Sequence, residues 1–355
     1  MPMNSTNFES YFNRPFEASG AAHGRVNIIG EHTDYCDGFA LPTLISHKIE
    51  VEIAARNDTE IRGLSSEFGS ENGVIGKIEA ENWLRFVEGA IAFINQKGGK
   101  IQGLDILTRT TIPAGAGVSS SAAFEIALLR ALSQLSGITL SANEMALIGQ
   151  QIEHDYIGTK CGIMDQMAVA HAQQGQALWL DCRSLESRIV PLPEAMNLAV
   201  IHSGSNRKLS SSAYNERLEQ TIQAAQLCGK QKLRDVTLSD IASFEDTLLK
   251  RRASHVIGEN ERVKKAVSAI ENADMKALGD LMIESHNSLR DDYEVSSPAL
   301  DKLVEDALAA GALGARLTGA GFGGCVVVLL EDGHEEATLN AILNANPEAY
   351  LVDSQ

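Results

Sequence analysis

The sequence GRVNIIGEHTDYCDGFALP, residues Gly24–Pro42, places several polar side chains directly after a short apolar run. A short strand-like run, Val26–Ile29, ends at a glycine, and Glu31, His32 and Asp34 follow within four positions. Two carboxylates and an imidazole behind a buried strand can hold a divalent metal ion or hydrogen-bond a hydroxylated ligand. Adjacent side chains rarely point at one ion, so we favour a polar rim for a hydroxylated substrate.

Length and charge limit the fold and the partners. A chain of 355 residues is too long for one ordinary hydrophobic core, which predicts two domains. We place them at residues 1–185 and 186–355. The formal net charge of −17 argues against a nucleic-acid or anionic-membrane partner, since either selects a basic surface. An anionic small substrate stays possible, because backbone amides can hold a phosphate locally.

Cysteine usage and the apolar runs predict the compartment. The five cysteines are scattered without paired spacing, which is typical of free thiols in a reducing compartment. The first residues, MPMNSTNFESYFNRPFE, are polar and acidic, unlike a signal peptide. The densest apolar runs, such as CVVVLL, are too short to span a bilayer. We therefore expect a cytoplasmic protein with no membrane partner, and nothing in the sequence requires an oligomer.

The hydrophobic pattern changes along the chain. The first third alternates short apolar strands with turns, whereas from Ser121 a three- and four-residue spacing predicts a buried helix ending near Gly137. A second helix begins at Ser141, whose spacing to Glu144 is that of a capping box. The stretches QALWLDC and NLAVIHS are predicted strands, and long helices precede a last strand, CVVVLL. Strands and helices mix in both halves, which predicts an α+β fold with two packed lobes.

A glycine- and serine-rich loop precedes the helix at Ser121, in the stretch TIPAGAGVSSSAAF. The first turn of a helix leaves four amides without intrahelical partners and carries partial positive charge, so the loop can bind a phosphate. Serines also cap helices and glycines also form turns, so the loop alone supports either role. It lacks the Gly-Lys-Ser/Thr ending of a Walker A motif. A nucleotide bound there would be held by backbone amides and serine hydroxyls.

A second glycine-dense stretch, GAGFGGCV at residues 319–326, has the spacing of both dinucleotide-binding and protein-kinase loops. A dinucleotide turn follows a strand and begins a helix, whereas we expect this stretch to follow a helix and begin a strand. No lysine follows Lys302, and neither His-Arg-Asp nor Asp-Phe-Gly occurs. Both assignments are therefore rejected. What remains is a turn whose backbone can approach a ligand closely.

Two further carboxylates lie in EHDYIGTKCGIMDQMA. Glu153 comes late on one predicted helix, and Asp165 falls in the first turn of the next. An acidic residue in a first turn often only complements the helix dipole. A carboxylate beside a loop is also how an enzyme places a general base or a metal ligand. The residues alone leave both roles open.

Taken together, these stretches resemble the galactokinase family. GRVNIIGEHTDYCDGFALP is similar to the galactokinase signature. IPAGAGVSSSAAFE and LTGAGFGGCVVVLL resemble the second and third motifs of the wider superfamily of galacto-, homoserine, mevalonate and phosphomevalonate kinases. KCGIMDQMA, SAYNER and RRASHVIGENERV are also similar to galactokinase sequence, so the resemblance covers nearly the whole chain. It implies an N-terminal lobe like the second domain of ribosomal protein S5 and a ferredoxin-like C-terminal lobe, with the active site between them.

The resemblance also implies a reaction. A galactokinase transfers the γ-phosphoryl group of MgATP to the anomeric C1 hydroxyl of galactose. The sugar-binding positions carried onto this sequence are Glu31, His32, Asp34, Gly162 and Tyr214. A sugar is a rigid ring of donors and acceptors, and unpaired partners in its pocket penalise the wrong epimer.

The same resemblance assigns the transfer machinery. Asp165 would face the C1 hydroxyl, and Arg25 would lie between Asp165 and the phosphates. Whether Asp165 removes the proton or stabilises charge stays open, because loose phosphoryl transfer depends mainly on positioning and charge neutralisation. The residues that would cradle the nucleotide phosphates are Gly115, Ala116, Gly117, Val118, Ser119, Ser120 and Ser121. Mg²⁺ would be held by Ser121 and Glu153.

Three departures from the family pattern bear on sugar preference. His23 stands where the family usually has proline, and Ala320 replaces the middle one of three glycines. Ala213 precedes Tyr214 where the family usually has glutamate. Alanine in the glycine-dense turn is costly only if that position needs a positive φ. None of the three belongs to the phosphoryl-transfer set.

Two alternatives to a galactokinase remain. One is a C1-kinase for a related sugar such as N-acetylgalactosamine or arabinose. The other is a non-catalytic sensor that binds galactose and ATP. The complete serine loop, together with Arg25 and Asp165, disfavours the sensor.

Overall fold

The computed structural model describes residues 7–205 and 210–355, which form two compact units. Apart from residues that are not described, the first unit comprises Met1–Gly24, His47–Ala114 and Ser119–His171, and the second comprises Arg25–Ser46, Gly115–Val118 and Ala172–Gln355. The chain therefore passes between the units several times before it enters the second unit finally at Ala172. The functional lobe boundary at residue 185 stays a prediction.

The secondary structure alternates strands and helices. The strands are β1 (Ala18–Asn27), β2 (Phe39–Ala40), β3 (Pro42–Arg56), β4 (Glu60–Ser65), β5 (Gly69–Val74), β6 (Gly103–Thr110), β7 (Gln176–Asp181), β8 (Ser187–Pro191), β9 (Asn197–His202), β10 (Gly314–Thr318), β11 (Cys325–Leu330) and β12 (Tyr350–Ser354). The helices are α1 (Phe8–Phe12), α2 (Leu84–Gln96), α3 (Ser120–Ser136), α4 (Ala142–Ile152), α5 (Met164–His171), α6 (Ser210–Leu227), α7 (Thr247–Glu271), α8 (Met275–Asp291), α9 (Pro298–Ala309) and α10 (Glu335–Ala345). This mixture confirms the predicted two-lobed α+β class.

In the first unit, β3 pairs antiparallel with β6, β6 pairs parallel with β4, and β4 pairs antiparallel with β5. Helix α3 ends at Gly137, which adopts a left-handed φ of 72° as the C-terminal glycine of a helix commonly does. The predicted capping box at the start of α4 is confirmed, with reciprocal bonds between Ser141 and Glu144. Glu153 begins a π-helical turn, Glu153–Ile157, directly after α4.

In the second unit, a four-stranded antiparallel sheet has the order β10, β11, β9, β12. Strand β11 is buried along its whole length. Val326 and Val328 pack into one hydrophobic core, and Val327 and Leu329 pack into another. Period-2 alternation sends successive side chains to opposite faces, so an uninterrupted apolar strand is covered on both sides. Among the described residues, no helix is long and apolar enough to cross a membrane.

Three local predictions are wrong. CVVVLL was expected to be the last strand, but β12 follows it and pairs with β9. The glycine-dense stretch at residues 319–326 was expected to follow a helix, but it follows β10 and joins it to β11 as an antiparallel pair. The alanine-rich sequence before it resembles a helix, yet Arg316 is fully buried in β10 and donates to the backbone carbonyls of Asn27 and Ile28. Strand β1 ends at Asn27, so the predicted strand run does not continue to Ile29.

Candidate active site

The serine loop enters α3 through a strained residue. Ser119 occupies the position before the helix with φ 62° and ψ 51°, a left-handed conformation that residues with a Cβ rarely adopt. Its hydroxyl does not cap α3. Instead it donates a hydrogen bond to the carboxylate of Asp165, in the first turn of α5. Helix α3, which begins directly after Ser119, packs in the first unit against α5, which contains Asp165.

A second hydrogen-bonded cluster in the first unit consists of Ser121, Glu153 and Glu125. Glu153 is buried and hydrogen-bonds Ser121, the residue that follows the exposed Ser120 at the start of α3. Burial raises the pKa of Glu153, and its hydrogen bonds with Ser121 and Glu125 offset part of that rise.

Glu125 completes this cluster from inside α3. It is fully buried, and its Oε2 accepts a bond of 3.1 Å from Nε2 of Gln166. Burial, followed by the charge of Glu153, raises the pKa of Glu125 well above its ordinary value. Glu125 and Glu153 hydrogen-bond each other, and a bond between two carboxyl groups requires that one of them is protonated.

The preceding part of the serine loop, Gly115–Val118, belongs to the second unit, and its backbone carbonyls accept hydrogen bonds from protein donors. Arg25 is buried; its backbone N–H donates to Val118 at 3.0 Å and its Nη1 to Gly117 at 3.3 Å. The thiol of Cys325 donates to the carbonyl of Ala116 at 3.1 Å. Three successive carbonyls are therefore held by protein donors. Gly115 and Gly117 take the positive φ values, 72° and 74°, that this turn requires.

Glu31, in the second unit, connects the first motif to the glycine-dense turn. Its Oε1 accepts a bond of 2.7 Å from the backbone N–H of Gly319 and lies 3.1 Å from Oγ1 of Thr318. The guanidinium of Arg316 is 3.5 Å from the same oxygen. Glu31 is only 2% exposed, so these contacts compensate a charge that water does not reach.

His32 is held at both ring nitrogens. Its Nε2 lies 3.2 Å from the carbonyl of Ala320 and its Nδ1 lies 2.7 Å from the hydroxyl of Tyr35. A carbonyl can only accept, so Nε2 carries the proton and Nδ1 accepts from Tyr35. The hydroxyl of Tyr35 is 2.8 Å from that of Tyr293, which extends the chain of bonds. Burial lowers the pKa of His32 to about 3, so the ring is neutral at physiological pH.

The other predicted sugar contacts divide between the units. In the second unit, Asp34 is half-buried and its Oδ1 accepts from the backbone N–H of Tyr35 at 2.9 Å, while the ring of the half-buried Tyr214 lies 5.8 Å from that of His32. In the first unit, Gly162 is buried in the loop before α5, three residues ahead of Asp165. Each unit thus brings its own predicted site residues together.

The departures Ala320 and His23 fit their surroundings. Ala320 is absent from the described residues with positive φ, so the glycine it replaces is not needed for backbone freedom. His23 lies in strand β1, where a proline would remove a backbone donor. Neither substitution strains the backbone.

Four site residues were not predicted from the sequence. Tyr35 follows His32 by three positions inside the quoted motif, a turn spacing that was a usable signal. Glu125 was also visible, as a carboxylate on an otherwise apolar helix face. Tyr293 and Gln166 gave no local signal, since their partners lie far away or on another element.

No group of three or more His, Cys, Asp or Glu side chains in the described ranges is arranged to hold a metal ion. The oxygen donors that fit a hard cation are the hydroxyl of Ser121 and the carboxylate of Glu153. Such a pair is typical of Mg²⁺ that arrives with nucleotide phosphates, because Mg²⁺ uses one or two protein carboxylates together with substrate oxygens.

Three segments of the chain match known protein families. Residues 6–55 match the galactokinase galactose-binding signature, residues 85–173 the N-terminal domain of GHMP kinases, and residues 266–349 their C-terminal domain.

Solved structures agree with these matches. Galactokinase from Lactococcus lactis, solved in complex with galactose, is 32% identical, with 98% of this chain and 96% of that chain covered at a TM-score of 0.92. Mevalonate kinase from Methanococcus jannaschii is 21% identical over 95% of this chain and 97% of that chain, at a TM-score of 0.68. Phosphomevalonate kinase from Streptococcus pneumoniae is 15% identical over 96% of this chain and 99% of that chain, at a TM-score of 0.70. The last two show the shared fold, and the first shows the family: the chain belongs to the galactokinases and is a sugar kinase.

Proposed function

We propose that this enzyme transfers the γ-phosphoryl group of MgATP to the C1 hydroxyl of D-galactose, giving galactose 1-phosphate and ADP. The observation that carries the proposal is the match of residues 6–55 to the galactose-binding signature, which contains Glu31, His32 and Asp34. The galactokinase solved with galactose supports the same substrate.

Sugar recognition is proposed for Glu31, His32, Asp34, Gly162 and Tyr214. Buried polar groups that are already aimed by protein partners lose little entropy when a rigid sugar binds, and they penalise an epimer that leaves one of them unpaired. Glu31 and His32 have this property, since both are buried and bonded on defined atoms. His32 reaches a sugar hydroxyl by exchanging one of its two present bonds.

Catalysis is proposed for Asp165 and Arg25. Phosphoryl transfer through a loose transition state depends on alignment of the attacking hydroxyl and on compensation of negative charge. The bond from Ser119 supports an alignment role for Asp165, because it fixes one oxygen of the carboxylate that would face the C1 hydroxyl. Arg25 supplies a permanent positive charge on the same strand that leads to the sugar motif.

MgATP binding is proposed for the serine loop, from Gly115 to Ser121. The N-terminus of α3 offers amides and partial positive charge to the phosphates, and neither depends on a lysine. Ser121 and Glu153 supply the oxygen ligands for the magnesium ion of the substrate. That ion neutralises phosphate charge as the γ-phosphoryl group departs.

Replacing Asp165 by asparagine tests this function. We expect Asp165→Asn to lower ADP release with galactose and MgATP by at least about a hundredfold, the range of a lost positioned acid–base or charge-stabilising group. Galactose binding measured by calorimetry should stay within a few fold of the parent protein. Near-normal turnover would remove Asp165 from the mechanism.

A further inference from the structure

The backbone that carries the sugar-binding side chains is in an unfavourable conformation. Gly30 has a φ of +105°, and a Cβ built there would lie 2.7 Å from the carbonyl oxygen of Phe39 and 2.8 Å from Cα of Ala40. Two residues on, His32 has a φ of 60°, in the left-handed region. A turn with this strain keeps its shape only when the surrounding structure holds it.

Helix α7 holds this turn through one carboxylate. Oε1 of Glu259 accepts from the backbone N–H of Gly30 at 2.9 Å and is 3.4 Å from the N–H of Glu31. One helical turn earlier, Nε2 of His255 donates to the carbonyl of Glu31 at 3.2 Å. The same face of α7 therefore contacts both the N–H and the C=O of Glu31.

The carboxylate itself is rigid and fully buried. Its Oε1 also accepts from the hydroxyl of Ser285 at 2.7 Å, and its Oε2 accepts from Nε of Arg262 at 2.7 Å. Burial alone would raise the pKa of Glu259, but Arg262 and His255 outweigh it and the pKa falls to about 2. Glu259 is thus an ionised group inside the second unit that the proposed phosphoryl transfer does not use.

We infer that Glu259 is a positioning residue for sugar recognition: it fixes the strained Gly30–His32 backbone and so sets the direction of the Glu31 and His32 side chains. This inference rests on the proposed function, in which those two side chains bind the sugar. Glu259 itself touches no substrate. Its contribution is to galactose affinity and to discrimination between epimers, and ATP binding does not depend on it.

The variant Glu259→Gln tests the inference. Both carboxylate oxygens accept from donors, whereas a glutamine presents one oxygen and one NH₂ group. In either orientation the NH₂ group faces a donor, and the remaining amide oxygen is a neutral acceptor, so the contacts to the N–H groups of Gly30 and Glu31 are weakened or lost while the side-chain volume is kept. The matched control is Glu261→Gln on the same helix, because Glu261 is exposed and its ion pair is with the exposed Lys264.

We expect Glu259→Gln to raise the KM for galactose about tenfold, as loss of one charge-assisted contact predicts, and to leave the KM for ATP within twofold. The preference for galactose over glucose in kcat/KM should fall by a similar factor. The control Glu261→Gln should match the parent protein. A purely structural role would lower the active fraction, and so the apparent kcat, while both KM values stayed the same.

The outcomes separate this inference from the proposed function. A parent protein that does not phosphorylate galactose contradicts the function itself. An active parent protein whose Glu259→Gln variant keeps its KM for galactose contradicts the positioning role alone. If Glu259→Gln does not fold, Glu259→Asp decides, because the shorter side chain keeps the charge but withdraws the carboxylate from the N–H groups of Gly30 and Glu31. We expect a threefold or larger rise in the KM for galactose, and an unchanged value overturns the inference.

Discussion

Replacing Ser119 by alanine removes the hydroxyl that bonds Asp165 and little else. Alanine retains a Cβ, so the left-handed backbone at this position is strained equally in both proteins. A hydrogen bond to a charged group contributes about 1.5–3 kcal/mol. Asp165 is half-buried, so water can partly replace the lost donor and the lower end of that range applies.

If the bond aligns Asp165 during phosphoryl transfer, about 1.5 kcal/mol corresponds to roughly a tenfold fall in kcat. We expect that fall in Ser119→Ala, with the KM for galactose little changed, in a coupled assay of ADP release. Ser119→Gly distinguishes the loss of the hydroxyl from the backbone strain, because it lacks the hydroxyl and also relieves the strain. It should lose the same activity, yet be about 1 kcal/mol more stable than Ser119→Ala in urea unfolding, because glycine accepts a positive φ.

The control is Ser268→Ala, which removes an exposed serine hydroxyl on α7, outside every proposed site. It should retain kcat within twofold. The reasoning is refuted if Ser119→Ala also retains kcat within twofold, or if Ser119→Gly recovers the activity that Ser119→Ala loses. The second result would mean that backbone strain, and not the bond to Asp165, sets the rate.

Three further predictions follow from single contacts. Glu31→Ala leaves the N–H of Gly319 without its acceptor, so calorimetry should show galactose affinity at least about tenfold weaker and ATP affinity much less affected; equal losses would reject the rim role. Burial lowers the pKa of His286 from its ordinary value of 6.5 to about 4. As pH falls, the unfolded state therefore binds a proton before the folded state does, and the free energy of unfolding decreases between pH 6.5 and 4. His286→Asn should make that loss shallower by roughly 1 kcal/mol per pH unit in urea titrations, and an unchanged slope would contradict the assignment. Gly30→Ala forces a Cβ against neighbouring backbone at positive φ and should cost about 3 kcal/mol or more, seen as a much lower Tm; a Tm equal to that of the parent protein would show that the turn relaxes.

Local pattern was enough for much of the fold. The spacing of Ser141 and Glu144 predicted the capping box that begins α4. The uninterrupted run CVVVLL predicted a strand, which is β11 in the structure. In each case a short local pattern, a cap spacing or an apolar run, was enough to predict the type of element.

What sequence could not predict depends on distant partners. The segment before Thr318 looks helical, but Arg316 bonds carbonyls almost 290 positions away and lies in a strand. Serine is a residue type that often caps helices, yet the hydroxyl of Ser119 donates a hydrogen bond to Asp165, 46 positions further along the chain. The motif predicted a polar rim at His32, but the tautomer of that ring is set by Tyr35 and by the carbonyl of Ala320. Such pairings compete with local preference and are decided by the packed structure.

Identifying the reaction product shows whether this protein phosphorylates galactose at C1. The purified protein would be incubated with MgATP and each of galactose, glucose, N-acetylgalactosamine and arabinose, and the products identified by phosphorus NMR. We predict ADP and a sugar phosphorylated at C1, formed fastest with galactose. A C1-phosphate formed only from another sugar would contradict the substrate, and galactose binding without turnover on any sugar would contradict the proposed kinase reaction.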